Sequence, residues 1–178
     1  MTTSRPSSAV AGGLLLAGSV AAELVHPVQA SDGAVLEPVP FAGYLLLWTA
    51  GAALLVPAAA ALSRTSRGAR IGRVLAVAGA ALLTAFGVVV LVTGLADRPL
   101  EASFLAFALG LLLAAAGALT VGIAGRRPLL VVAGAGALVA LLAPGDPWHD
   151  LGLITFCLAW AVDGVARLRS GDRVDATI

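Results

Sequence analysis

The sequence predicts an all-α polytopic membrane protein, a six-transmembrane-helix bundle joined by short hairpin loops. Three observations predict it. Of the 178 residues, 60% are hydrophobic and 12% charged, with a mean hydropathy of +1.00, and a water-soluble domain of this size needs far more polar surface. The apolar residues come in long uninterrupted runs, and about 20 such residues cross ~30 Å of hydrocarbon. The charges gather mostly between the runs, ten of the eleven basic residues at one parity and seven of the ten acidic residues at the other, with Asp163, Asp172 and Asp175 on the basic side. A membrane β-barrel would alternate apolar and polar residues in segments of about ten, and nothing here alternates.

The first uncharged run, Pro6–Ala22, is the body of a span at 8–26 that ends in "AAELVHPVQASDG". There Glu23 and His26 stand three residues apart and Pro27 helps to stop the helix. The same stretch also fits a secretory leader, with "MTTSR" as n-region, Ala9–Ala22 as h-region and a small-residue site before Ser31. Retention is the expectation, because the apolar run continues through Val25 apart from Glu23 and the other spans would otherwise lose a neighbour. The second run, Phe41–Ser63, gives a span at 41–63, in which Pro57 removes one backbone hydrogen bond and can kink the helix. Val74–Ala96 gives a span at 72–96 and Ala102–Gly125 one at 102–125.

In the fourth span Gly110, Ala114, Ala118 and Gly122 recur at every fourth position, the small-xxx-small face that lets a second backbone approach. It is expected to pack within the bundle first and between copies second. Pro128–Gly145 gives a span at 128–144; Leu151–Val162, resumed after Asp163, gives the last, at 148–168. Thr49, Thr84, Thr93, Thr120 and Thr155 are expected to return their hydroxyls to their own helix backbones. Cys157 is the sole cysteine, so neither an internal disulfide nor a cysteine zinc site is available, and it reads as a packing residue.

All eleven basic residues are arginine. Arg5, Arg64, Arg67, Arg70, Arg73, Arg126, Arg127, Arg167, Arg169 and Arg173 share one parity, and Arg98 alone has the other. With six spans, the positive-inside rule predicts a multi-pass protein of the inner (plasma) membrane with cytoplasmic N- and C-termini. Glu23, Asp32, Glu37, Asp97, Glu101, Asp146 and Asp150 fall on the outer side with His26 and His149. That face can attract cations but reads first as solvated loop edges.

Two clusters of ionisable groups invite a chemical reading. Asp163 lies ~24 Å along the last helix from Pro147, near the inner boundary, with Arg167 one turn on to pair with it. At the outer side, His26 ends the first span and His149 opens the sixth. If the first and last helices are neighbours, Glu23, His26, His149 and Asp150 meet at one depth as a candidate metal site, or the two imidazoles as haem ligands. Against this, "DPWHD" is complete as a helix start. Asp146 suits the N-cap, Pro147 the first helical position, Trp148 the interfacial belt and Asp150 the helix dipole. No cofactor is expected. No nucleophile elbow, phosphate-binding glycine loop, lysine or mid-membrane polar cluster appears, so the reading leans away from an enzyme. The loop "SRTSRGARIGR" is basic enough to bind anionic headgroups, though it reads first as the topological anchor.

The final hairpin, "LLAPGDPWHDLGLITFCLAW", resembles that of small six-span bacterial membrane proteins of the DUF 998 type, in which a proline-rich turn and a histidine introduce the last helix. The segment "HPVQASDG" is loosely similar, with Gly33 where the group carries leucine. The resemblance covers about a fifth of the chain and implies six spans and no established activity. The functional expectation is an integral membrane protein acting through helix packing, lipid or partner contacts. Its partners would be the bilayer and a membrane protein or second copy, with no nucleic acid. Its alternatives are a small transporter or channel subunit, which needs a polar path through the bundle, and a metal- or haem-binding membrane enzyme, which needs the four outer groups together.

Overall fold

The computed structural model describes residues 4–25, 38–62, 66–94, 101–143 and 147–175. Six helices make up nearly all of them: α1 (Ser4–Val25), α2 (Pro38–Ala60), α3 (Arg67–Gly94), α4 (Glu101–Ala124), α5 (Pro128–Leu142) and α6 (Trp148–Asp175). Each falls within a few residues of an expected span, except that α6 runs on past 168. The fold is an all-α membrane bundle, with five helices long and apolar enough to cross a bilayer. The departure is α5, whose 15 residues reach about 22 Å, short of ~30 Å of hydrocarbon. It ends at Leu142, where Ala143 turns to extended backbone and donates to the Val139 carbonyl at 2.9 Å.

Local chemistry sets the ends. Ser66 precedes α3 and its Oγ accepts the Ala69 N–H at 3.0 Å, an N-cap. Pro128 occupies the start of α5, where a missing N–H costs nothing. Within α2 the helix passes Pro57 and continues to Ala60, and Ala61 N–H still donates to the Pro57 carbonyl at 3.1 Å.

The helices form a ring. Each packs on its neighbours in sequence, α6 closes on α1, and among the described residues no backbone contact crosses the middle. Glycine lies at every seam. A Cβ on Gly12 would stand 2.8 Å from the Gly51 carbonyl oxygen across α1 and α2. One on Gly87 of α3 would press Thr49 and Trp48 of α2, and one on Gly117 of α4 the backbone of Ala76 and Gly72. Gly134 meets Ala115 and Leu119, Gly136 meets Gly152, and Gly164 meets Pro6 and Ala9 in the same way. Because lipid chains are as apolar as leucine, such close backbone approach, with its dense dispersion contact, replaces the hydrophobic effect as the cohesive term. The series in α4 works within the chain: Gly110 faces Leu82 and Leu83 of α3, and Gly122 faces Val131 of α5.

Large side chains fill the ring. Trp48, Phe156 and Trp160 are buried, and Trp48 packs on Phe86 and Phe107 with ring centroids 6.5 and 5.9 Å apart, a separation suited to aromatic pairs. The outer wall is apolar, with Leu105, Ile123, Val74 and Val92 among its exposed residues. Four of the five threonines behave as expected: Thr84, Thr93, Thr120 and Thr155 donate to the carbonyls four residues earlier at 2.7–2.8 Å. Thr49 departs from the expectation. Its Oγ1 is buried at the Gly87 seam and has no hydrogen-bond partner among the described residues.

Candidate functional site

Antiparallel packing gathers the polar groups at two ends of the ring. At the acidic end, α1 brings Glu23, α2 brings Tyr44, and α6 brings His149 and Asp150. Glu23 shares a hydrogen bond with the Tyr44 phenol, and Asp150 is close enough to act on that phenol electrostatically. Glu23 thus has as its partner a tyrosine that the sequence reading did not single out. Its signal was present: Tyr44 is the only tyrosine in the chain and stands near a helix end, where an amphipathic ring sits at an interface.

His149 faces another way. Its Nδ1 is 2.6 Å from the Ala140 carbonyl oxygen of α5, and its ring lies against Phe107 of α4, centroids 6.1 Å apart. A carbonyl only accepts, so Nδ1 carries the proton and donates. Ala140 belongs to the last turn of α5, whose carbonyls lack helical partners. His149 thus caps α5, the service that basic side chains give at helix C-termini. His26 lies outside the described residues. Among the described residues, no three or more His, Cys, Asp or Glu side chains stand together to hold a metal ion.

At the arginine end the centre is Asp163, only 4% exposed. Arg167 Nη2 reaches its Oδ2 at 2.9 Å, the expected pair one turn along α6. Arg127, from the turn between α4 and α5, reaches Oδ1 at 3.4 Å with its own Nη2. This second partner was missed, since it comes from another element. A buried carboxylate needs such partners: breaking a buried pair by removing one side costs ~3–5 kcal/mol.

The α4–α5 turn that delivers Arg127 has a specific shape. Arg127 N–H donates to the Gly122 carbonyl at 2.7 Å and Arg126 N–H to the Ile123 carbonyl at 3.3 Å, the paired bonds of a Schellman motif. The left-handed residue of that motif is Arg126, with φ 51°, where glycine is the usual occupant. Three arginines, Arg126, Arg127 and Arg167, line a pocket of about 250 Å³ with Asp163.

No protein-family model matches the chain, and comparison with curated proteins and with solved structures finds no match. The fold and the apolar wall define the class, an all-α helical membrane protein.

Proposed function

We propose that the protein is a multi-pass protein of the inner (plasma) membrane, both termini cytoplasmic, that acts through lipid and partner contacts at its arginine end rather than by catalysis. The observation that carries this reading is the one-sided charge on an apolar ring. Arg67, Arg70 and Arg73 open α3, Arg126 and Arg127 follow α4, and Arg167 and Arg169 lie near the end of α6, all at the same end, where anionic headgroups attract basic residues. The resemblance of the final hairpin to the DUF 998 type is consistent with six spans. A transporter or channel would use polar groups in the lumen, and the packed rings of Trp48, Phe86 and Phe107 weigh against that alternative. A metal- or haem-dependent enzyme would need a set of ligands around His149, whose Nδ1–H, donated to Ala140, leaves Nε2 as the one ring nitrogen to serve.

Two measurements test the reading. Cys157 is fully buried, so single cysteines introduced at Gly125 and Pro147 can be labelled without a background. A membrane-impermeant maleimide should label Pro147→Cys in intact cells and Gly125→Cys only in opened ones; the reverse pattern overturns the orientation. Crosslinking through the arginine end in native membranes, followed by purification, should retain a specific protein partner, and recovery of the bare chain would count against partner contact.

A further inference from the structure

The pocket at the arginine end has an excess of positive charge that its own structure does not use. Arg126, Arg127 and Arg167 face a single carboxylate, Asp163, in its lining. Asp163 is already divided between Arg127 and Arg167, which leaves the exposed Arg126 outside that ion pair. Arg167 Nε is buried with no hydrogen-bond partner among the described residues, although buried donors are almost always satisfied.

The helix that opens at the pocket adds to this. α5 begins with Pro128 on the lining, its N-cap residue Arg127 makes no side-chain cap, and no acidic residue stands in its first turn. The positive end of the α5 dipole is therefore not offset by any acidic residue of α5's own first turn. The backbone also bears a cost to hold the arrangement. Arg126 takes the left-handed position that glycine would fill without strain, and strain of this kind concentrates at binding sites.

We propose that this pocket binds a phosphate oxyanion, with the headgroup of an anionic phospholipid as the favoured source. Arginine forks match phosphate oxygens in pairs, and Ser170 supplies a hydroxyl at the rim. The volume, about 250 Å³, falls below the ~300–1,000 Å³ of drug-sized sites and suits a headgroup. The other part of the lining, Pro128, Leu129 and Ala166, is apolar, so one wall accepts charge and the other the start of an acyl chain. Basic pockets between membrane helices bind anionic headgroups in this way. The inference rests on the reading of the arginine end as the contact face and names the ligand it contacts.

The test is a titration of the purified full chain in detergent, read by native mass spectrometry, with phosphatidylglycerol in one arm and inorganic phosphate in the other. Arg126→Gly suits the turn, so it removes a guanidinium without threatening the fold; it should weaken binding about fivefold, the factor for one basic residue near an anionic surface. Asp163→Asn frees two guanidiniums and should tighten binding by a similar factor. Arg98→Gln makes the same charge change in the one arginine of the other parity and should shift binding less than twofold. Binding of the lipid alone assigns the headgroup, and equal binding of inorganic phosphate assigns the free ion. Equal losses in Arg126→Gly and Arg98→Gln, or no gain in folded Asp163→Asn, overturn the site. Such a failure leaves the partner crosslinks of the proposed function untouched, so the two readings fail separately.

Discussion

Replacing Gly79 by alanine sets a methyl group into the α3–α4 seam with no room to receive it. The new Cβ would lie 2.7 Å from the Gly110 carbonyl oxygen and 2.8 Å from the Ala114 Cα, and it would press the Ala114 backbone nitrogen as well. These are backbone atoms, so no rotamer change relieves them. Restoring a 3.4 Å contact parts the two helices by about 0.7 Å or more along a seam built on close approach. Overpacking of this kind costs ~1–3 kcal/mol, against ~0.5–1 kcal/mol gained when alanine replaces glycine inside a helix. The net is a loss of up to about 2.5 kcal/mol, or up to roughly 10 °C in midpoint at the ~2–4 °C per kcal/mol of a chain this long. Gly18 of α1 provides the control: nothing lies within 4 Å of its Cβ position, so Gly18→Ala should raise the midpoint. The assay uses the lone buried thiol of Cys157, which reacts with a fluorogenic maleimide only as the ring opens. A Gly79→Ala midpoint raised as much as that of Gly18→Ala would refute the seam argument.

Two further outcomes follow from sites already described. His149→Ala should lower stability by ~0.5–1.5 kcal/mol, the worth of one hydrogen bond, while His149→Asn, whose amide can donate where Nδ1 does, should recover most of it in the same thiol assay; equal losses would contradict the capping role. The chain purified from membranes should retain α1, because Gly12 and Gly13 seat it against Gly51 and Cys157; N-terminal sequencing that begins at Ser31 would disprove this.

Much of the architecture is legible in the sequence because the bilayer imposes a long apolar run on each helix that crosses it, and five of the six are long enough to do so. The six runs, the packing role of Gly110 to Gly122 and the Asp163–Arg167 pair all follow from periodicity within a single helix. What escapes such reading depends on register between helices. Arg127 reaches Asp163 from a turn that lies more than thirty residues earlier, and nothing in either segment marks the pair. His149 bonds Ala140 because α5 stops at Leu142 and the chain returns within a few residues, so its partner is set by where a neighbouring helix ends. Thr49 looked like the other threonines, yet it faces a glycine seam and leaves its hydroxyl without a partner among the described residues. Glu23 and Asp150 are singled out by the sequence for a metal, and the pairing of Glu23 with Tyr44, the one tyrosine, emerges only when α1 and α2 are side by side.

The closed ring also dictates an order of events during synthesis. Five of its seams join helices that follow one another in the chain, so each can form as the next helix emerges, in keeping with N-terminal-first folding. The α6–α1 seam alone joins the two most distant elements. Until α6 is inserted, Gly13 has no Cys157 or Ala161 to meet, and Arg127 waits without Asp163. The last helix therefore brings the closing seam and the buried carboxylate together, and the nascent bundle carries an unpaired charge until that final step.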